Sequence, residues 1–520
     1  MAAENPEKLV GKLVSALLAE QAGQVGLKVG LRKIWEYCRG KQDDPFKPDD
    51  FPRSRYAKLM ERSKFNMLAP LVKMRAQSLE IVGYRSNKPN ATNARSWQLW
   101  IDNRLDSRQT QVWQTAIKYG IAYGLTTRGT KLDENGEDKP SAVMTAYSPR
   151  DSYAYYQDPA NDEWPLYFIH VNNLITGETD RLPAFGLEDK NQRARVTFFD
   201  DEKKIVFVQG ESQDEWVVEE YEVHDYGVCP VVRYTAELDL EGEYHGIVEP
   251  LIRTQDRLNE TLFDLLMTQT FNSFKIKVIS GVMFGDTDED GTPVDSPESA
   301  AKARSQKLRS SQDSTWAFAD PDTKAYTLPE TSMSPFIDAA KFVMNQFAIE
   351  SQTAPQNFLG EIGGNLAAEA LDALENSSNK LDLQLQRSFG ESAAQQLRLA
   401  ASIAGYEDEA NDYSLQVVWQ TVQRRSLAQV ADALGKAAVM LQAPVEELWG
   451  MLPDVSLEDV ERWKTLREQQ KAEDLANQFL TGGGNNANPS ATADSSAQLQ
   501  RATAAANEPA NLSSARPVQE

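Results

Sequence analysis

Cysteine is nearly missing from this chain of 520 residues: only Cys38 and Cys229 occur, far apart. A disulfide framework is thereby excluded, and a reducing compartment is the natural setting. Histidine is as scarce, with His170, His224 and His245 alone, and none stands at HExxH or another metal spacing, so no zinc site is indicated. There is no GxSxG string for a nucleophilic serine, and no lysine follows Gly120 and Gly124 at P-loop spacing. No apolar run reaches the roughly 18 residues of a membrane span, and the opening MAAENPEKLVGKLVSALLAEQ is broken by charge, unlike a secretory signal. The string DTDEDG at 286–291 begins like an EF-hand loop, but Pro293 lies inside it and Pro297 takes the twelfth place, so it reads as a solvated acidic turn. The strings NAT, NET, NSS and NLS at Asn90, Asn259, Asn376 and Asn511 are chance glycosylation matches if the chain is never secreted. Catalytic, cofactor-binding and metal-binding residues are therefore expected to be none.

What the chain does have is charge, unevenly placed. The net charge is -23, with 77 acids, so neighbouring carboxylates by themselves say nothing about acid and base catalysis. Residues 1–130 carry 22 Lys and Arg against 12 Asp and Glu, whereas residues 200–272 carry 18 acids against 5 bases. Tight, non-specific DNA binding draws on many Lys and Arg displacing counterions at phosphates, so contact with nucleic acid should be loose or confined to basic patches.

The clearest element runs from Ile247 or Val248 to Asn272. Leu251, Leu258, Leu262, Leu265 and Leu266, with Val248 and Ile252, fall in one arc at 100° per residue. Pro250 is tolerated only in the first turn, which fixes the start. The predicted rod is about 40 Å long at 1.5 Å per residue. Opposite the leucines, Glu249, Asp256, Glu260 and Asp264 share a narrow arc, predicted to be exposed and mostly acidic, which fits a central core helix with a solvated face and also a channel wall.

Residues 1–40 read as one or two helices, and KQDDPFKPDDFP as a connection that closes an N-terminal arm over 1–52. Residues 53–240 read as one α+β domain: a helix around Met60–Gln77, a strand at Leu79–Tyr84, a helical pattern from Asn93 to Arg128, and then short strands, of which VTFFDDEKKIVFVQG is the clearest hairpin. Gly120 and Gly124 mark close packing or a helix end. The aromatic group Tyr153, Tyr155, Tyr156, Trp164, Tyr167 and Phe168 reads as the core of a small sheet, with too few interleaved bases for a nucleic-acid stacking platform. After the long helix comes a β-rich insert over 274–331, in which KIKVISGVMF is a strand pair or a strand and turn, TWAFADPDTKAYTLPE a closing hairpin, and AAKARSQKLRSS a short basic helix. A second helix at Ser334–Ser351 can return antiparallel to the first. Thr353–Asn365, with three glycines and a proline, is predicted to be irregular. A long helix from Ala367 to about Ala404, a strand at Tyr413–Gln420 and helices to Leu480 follow, and the Ala, Asn, Ser and Gly rich residues 481–520 are predicted to be disordered.

The strings KYGIAYGL, YGVCPVVRY, HGIVEPLIRTQDRLNETL, GGNLAAEALDALE and VVWQTVQRRSLAQVADAL, in this order over roughly residues 50–480, resemble the portal proteins of tailed bacteriophages, particularly the long-chain type of actinobacterial phages. The resemblance implies an α+β, predominantly helical portal fold. Its wing would be 53–240, its stem helices 241–273 and 332–352, its clip 274–331, its tunnel loop 353–366, a long wing or crown helix 367–409 and the crown 410–480. It implies a dodecameric ring at one capsid vertex, assembled in the host cytoplasm, through which double-stranded DNA is packaged and ejected. The implied partners are the large terminase subunit, the major capsid protein and a head-completion protein, with no membrane and no cofactor. Under it, Glu249, Asp256, Glu260 and Asp264 would give the channel a negative potential, Lys275 and Lys277 would meet passing phosphates, and Gln356, Asn357, Phe358, Gly360, Gly363 and Gly364 would belong to the tunnel loop. Two alternatives stay open at this point: another self-assembling head or connector protein, and a metal-dependent nuclease.

Overall fold

The computed structural model describes residues 6–23, 29–48, 52–86, 92–132, 138–172, 194–210, 215–272, 277–280, 324–327, 331–359, 368–420, 427–452, 455 and 457–481. They form two compact units that divide after Arg424.

The first unit begins with helices α1 (Pro6–Ala22), α2 (Leu31–Cys38), α3 (Arg53–Ser63) and α4 (Leu68–Gln77). The single helix expected around Met60–Gln77 is therefore two, interrupted at Lys64–Met67, where the Phe65 and Met67 N–H groups donate to side chains instead of a helical ladder. Strand β1 (Ile81–Ser86), helices α5 (Ser96–Asp102) and α6 (Leu105–Tyr119), and strands β2 (Ile121–Leu132) and β3 (Asp138–Tyr147) follow. The helical pattern expected to reach Arg128 stops at Tyr119. Gly120 ends α6 with φ of 91°, and residues 121–132 pair as a strand with β3. Both glycines singled out in the sequence mark close approaches: a Cβ on Gly120 would lie 2.7 Å from the His245 carbonyl carbon, and one on Gly124 would lie 2.6 Å from the Gln396 side chain.

Strands β4 (Ser152–Tyr155), β5 (Tyr167–Asn172), β6 (Arg195–Phe199), β7 (Lys203–Gln209) and β8 (Trp216–Val223) make an antiparallel sheet in that order. The hairpin expected at VTFFDDEKKIVFVQG is β6 and β7. Helix α1 lays Val10, Leu13, Val14 and Leu17 on this sheet, against Ile169, Val196, Phe198, Phe207 and Trp216. Of the aromatic group, Phe168 and Tyr156 are buried in a second small core, while Tyr155 stays exposed. Strand β9 (Val231–Thr235) joins β2 on the side away from β3, and the short pair β10 (Glu237–Leu238) and β11 (Tyr244–His245) leads into α7 (Val248–Asn272).

Helix α7 has the expected bounds. Beyond it, strands β12 (Lys277–Ser280) and β13 (Lys324–Thr327) pair antiparallel with each other. The two ends of the insert thus meet, and the remaining residues of the expected strand pair at KIKVISGVMF and closing hairpin at TWAFADPDTKAYTLPE lie outside the described residues. The expected basic helix at AAKARSQKLRSS and the acidic turn at 286–291 lie outside the described residues. Then come α8 (Ser334–Glu350), α9 (Gln356–Leu359), α10 (Ala368–Ile403), α11 (Glu407–Ala410) and β14 (Leu415–Trp419). Strand β14 pairs with β1 across more than 300 residues of sequence, so it is part of the first unit. Helix α10 runs across the core: its Phe389 stacks on Trp113 at 4.9 Å, and Trp113 meets Tyr234 edge-on at 5.5 Å.

The second unit holds α12 (Leu427–Met440), α13 (Val445–Leu448), a 3-10 turn at Trp449–Met451 and α14 (Leu457–Thr481). Trp449 and Trp463 meet edge-on at 6.1 Å, and Arg467 lies over Trp449. Residues 482–520, expected to be disordered, lie outside the described residues.

Candidate functional site

The functional reading of the sequence centres on α7 and what surrounds it. Helices α7 and α8 run antiparallel, as three side-chain contacts show. The Thr254 hydroxyl donates to Glu350, Arg257 donates to Gln346 at 2.8 Å, and Asn272 donates to the Thr331 carbonyl at 2.7 Å. Val343 and Phe347 of α8 share a buried cluster with Val248, Leu251, Ile252 and Leu258, the apolar arc read from the sequence. Leu262, Leu265 and Leu266, further along that arc, are only half-buried.

The opposite face is not the open acidic surface the sequence suggested. Residues 29–47 pack along it and take three of the four carboxylates as partners. The Val29 N–H donates to Glu249 at 2.8 Å, the Tyr37 hydroxyl donates to Asp256 at 2.6 Å, and Lys47 pairs with Asp264 at 2.5 Å while lying over the Phe263 ring. Glu260 makes no side-chain hydrogen bond or ion pair with the described residues. Between these acids runs a buried amide ladder. The Asn259 Oδ1 accepts from the Phe65 N–H at 3.0 Å, the Gln255 Oε1 accepts from the Met67 N–H at 3.1 Å, and the Asn259 amide donates to Gln42 at 2.6 Å. The helix is therefore polar on this face because it binds backbone and side chains of its own N-terminal segment. On the described part of α7, the side chains left most open include the two arginines, Arg253 and Arg257.

Burial raises the Asp256 carboxyl pKa, although the Tyr37 hydroxyl donates to it and pulls the other way. Burial, and then the carboxylate beside it, raise the Tyr37 pKa strongly. For both groups the native state favours the neutral form. The Tyr37 contribution to stability is thus fully present below its unfolded value of about 10 and is lost as pH climbs through the raised native value. Tyr37→Phe leaves a half-buried carboxylate without its donor and is expected to cost about 1–2 kcal/mol. In limited proteolysis above about pH 10, the wild type should gain cleavage within 29–47, while the variant should already be cut there at neutral pH. Identical cleavage of the two proteins at both pH values would sink this expectation.

Of the other residues singled out, Lys277 opens β12, while Lys275, Gly360, Gly363 and Gly364 lie outside the described residues. The segment Thr353–Asn365 is not wholly irregular: Gln356, Asn357 and Phe358 lie in the helical turn α9, where the Asn357 N–H donates to Ala354 and the Phe358 N–H to Pro355. The turn is held because Phe358 packs edge-on against Phe347 at 5.4 Å.

Sequence reasoning missed the residue that fastens this region. Arg75 of α4 is 2% exposed, and its guanidinium spans three elements. Nη1 donates to the Ser378 carbonyl and hydroxyl and to Asp382 at 3.0 Å, and Nη2 donates to the Ser351 and Gln352 carbonyls and the Thr353 hydroxyl. The end of α8 and the first half of α10 are thereby held by one side chain. A signal was present, since Leu68, Leu71, Val72, Arg75 and Ala76 follow helical spacing and put a charge on an apolar stripe.

Asp239, Glu243 and His245 bring possible ligand atoms within 4.8 Å of one another. Their positions follow from the β10–β11 hairpin itself: the Asp239 carboxylate accepts from the Glu243 N–H at 2.7 Å and lies 3.1 Å from His245 Nε2. No helix among the described residues is long and apolar enough to cross a membrane.

Comparison with known proteins agrees with the resemblance at the level of phage portal proteins. No curated protein matches the chain. Among solved structures, the chain is similar to one in the virion of a native gene transfer agent particle, at 12% identity and a TM-score of 0.38, covering 83% of this chain and 99% of that one. It is also similar to one in the neck of an empty gene transfer agent particle computed with C6 symmetry, at 11% identity and a TM-score of 0.35, covering 80% and 98%. The family described as phage portal protein, SPP1 Gp6-like, matches residues 34–473. That span takes in most of the chain, including the part of α2 from Ile34 with the Tyr37–Asp256 contact, the α7–α8 pair and the Arg75 junction. The chain belongs to the SPP1 Gp6-like family of phage portal proteins, structural components and not enzymes.

Proposed function

We propose that twelve copies of this chain close into a ring at one capsid vertex, and that double-stranded DNA passes through its centre during packaging and ejection. The observation that carries this reading is the antiparallel pair of α7 and α8 with β12 and β13 joined at its far end, in a chain of the portal family. In this arrangement α7 and α8 are the stem and the insert between them is the clip, on which the large terminase subunit docks before a head-completion protein replaces it. The major capsid protein surrounds the wing. Ile337, Phe342 and Ile349 of α8 are exposed and supply apolar surface for neighbouring copies.

Glu249, Asp256, Glu260 and Asp264 remain the candidates for the negative potential of the stem, but with unequal weight. Asp264 is offset by Lys47 and the Asp256 charge is disfavoured by burial, so Glu260 carries the least compensated charge. Lys275 and Lys277, at the junction of stem and clip, are proposed to meet passing phosphates, and the segment from Gln356 to Gly364 is proposed to face the DNA as the tunnel loop.

Negative-stain imaging of the purified chain tests the class. A closed ring near twelve subunits with a central hole is expected. Monomers only, or large closed shells, would overturn the reading in favour of another head protein.

A further inference from the structure

We propose that Arg39, Lys41, Lys118 and Arg150, gathered around Trp35 and Tyr119, form a binding site for the phosphates of double-stranded DNA. The site lies where the end of α2, the end of α6 and the turn between β3 and β4 converge. The Arg150 guanidinium lies 4.4 Å from the Trp35 ring centre, Arg39 lies 5.1 Å and Lys41 lies 5.4 Å from it, and the Lys118 ammonium lies 4.3 Å from the Tyr119 ring centre. Local structure explains how four cations can gather. Arg39 caps α2 and Lys118 sits in the last turn of α6, so two helix C-termini offer partial negative charge, and the aromatic faces offer more. Gln21 of α1 fixes the turn by donating to the Arg150 carbonyl at 2.8 Å.

None of these four side chains pairs with a carboxylate among the described residues, and the nearby acids are already engaged. Glu36 pairs with Arg32, Asp43 with Lys33, and Asp44 with Lys64, while Asp151, next to Arg150 and attracting it through charge, accepts from the Ser152 hydroxyl and lies 3.9 Å from His170. Lys47, the remaining described base of residues 29–48, is held by Asp264. The Arg150 Nε is buried and has no acceptor. Burial lowers the Lys118 pKa, Cys38 beside it opposes the shift, and the adjacent Arg150 and Arg39 lower it further. A buried donor and four clustered cations, none in an ion pair with a described carboxylate, call for an anion with several oxygens.

The surroundings favour a phosphodiester backbone over a protein surface. Protein interfaces have an apolar core, and of the exposed large apolar side chains Phe46 alone falls within residues 29–48 and none within 115–120 or 147–151. Nucleic-acid interfaces are polar and positive, as this one is. The site also answers the charge of the whole chain: at -23 it should repel DNA broadly, so contact must be local. The inference rests on the portal reading only for the presence of DNA.

Fluorescence anisotropy of the full-length chain with a short duplex of arbitrary sequence, over a salt series, tests it. Arg39 and Lys41 are exposed, so the pair Arg39→Gln and Lys41→Gln should leave the fold intact. Each phosphate contact contributes about 0.9 to the slope of log K against log salt, so the double variant should lose about 1.8 of slope and bind more weakly. Adding Arg150→Gln should lower the slope again. Lys58→Gln with Lys73→Gln, exposed bases away from the cluster, is the control pair and should change little. Equal slope and affinity in the cluster pair and the control pair would overturn the proposal, as would undetectable binding by the wild type. So would a cluster variant that binds DNA normally but no longer assembles, which would mean the cations meet acids of a second copy. Should the wild type form no ring, the portal reading fails by itself, while the slope still decides whether the cluster binds phosphates.

Discussion

Replacing Arg75 with Met is expected to destabilise the first unit by about 3–5 kcal/mol, because removing one partner of a buried ion pair leaves the other buried and unpaired. Asp382 would keep only the Ser78 hydroxyl as a described donor, at 3.1 Å, and the carbonyls of Ser351 and Gln352 would lose the guanidinium that satisfies them at the end of α8. Lysine should be a poor substitute: a single ammonium has three donors from one point and cannot span Asp382 on one side and three acceptors on 351–353 on the other. Replacing both partners, Arg75→Met with Asp382→Leu, removes the stranded charge and should recover part of the loss, leaving mainly the Gln352 carbonyl without its donor, since the Ser351 carbonyl still accepts from the Thr353 hydroxyl. Urea unfolding followed by circular dichroism checks this. A stability for the Arg75→Met variant within about 1 kcal/mol of wild type would show that the buried network contributes little. Under the portal reading the same variant also loosens the end of the stem helix against α10. Packaged genome length in the partly restored double variant would then separate a mechanical role from mere loss of fold.

What could be read from the sequence follows a physical division between local and non-local information. The bounds of α7 were legible because Pro250 fixes one end and the leucine spacing fixes the buried face, both local signals. The meaning of its polar face was not. Glu249, Asp256, Asn259 and Asp264 find partners at Val29, Tyr37, Gln42 and Lys47, more than 200 residues earlier, and no spacing rule connects the two segments. An amphipathic helix looks the same whether its polar side faces water, a channel or another segment's backbone. The pairing of β14 with β1 was hidden for the same reason. Residues 121–128 form a strand although Ile121, Ala122 and Leu125 also fit a helical period. The stop was written in Gly120, whose left-handed conformation ends α6 and lets the next residues extend. Arg75 was the converse case, a charge on an apolar stripe that was visible but whose partners at 351–353 and 378–382 lay beyond sequence reach.

Gly120 also carries the second large effect, because there two backbones touch. A Cβ on Gly120 would lie 2.7 Å from the His245 carbonyl carbon and 2.9 Å from the Gly246 nitrogen, and one on Gly246 would lie 2.6 Å from the Lys118 oxygen. These atoms are main chain and cannot turn away as a side chain can. The Ile247 N–H donates to the Ile117 carbonyl at 3.0 Å, so the end of α6 is bonded directly to the entry of α7. Gly120→Val adds a β-branched residue in the left-handed region, about 1–2 kcal/mol, to an overpacking cost of about 1–3 kcal/mol, for a loss of roughly 2–5 kcal/mol. Gly246→Ala meets only the second cost. The double variant Gly120→Ala with Gly246→Ala should lose less than the sum of the two single changes, since one separation of α6 from the start of α7 relieves both clashes. Gly227, with φ of 71° and nothing within 4 Å of its missing Cβ, is the control: Gly227→Val should cost only the left-handed backbone strain, about 1–2 kcal/mol, with no clash added. If the Gly120 and Gly227 variants lost equal stability, the cost at Gly120 would come from backbone conformation alone, and the contact between α6 and the entry to α7 would not constrain the helix. Unequal loss, with the Gly120 variant also showing faster amide exchange in the first turns of α7, is the expected result.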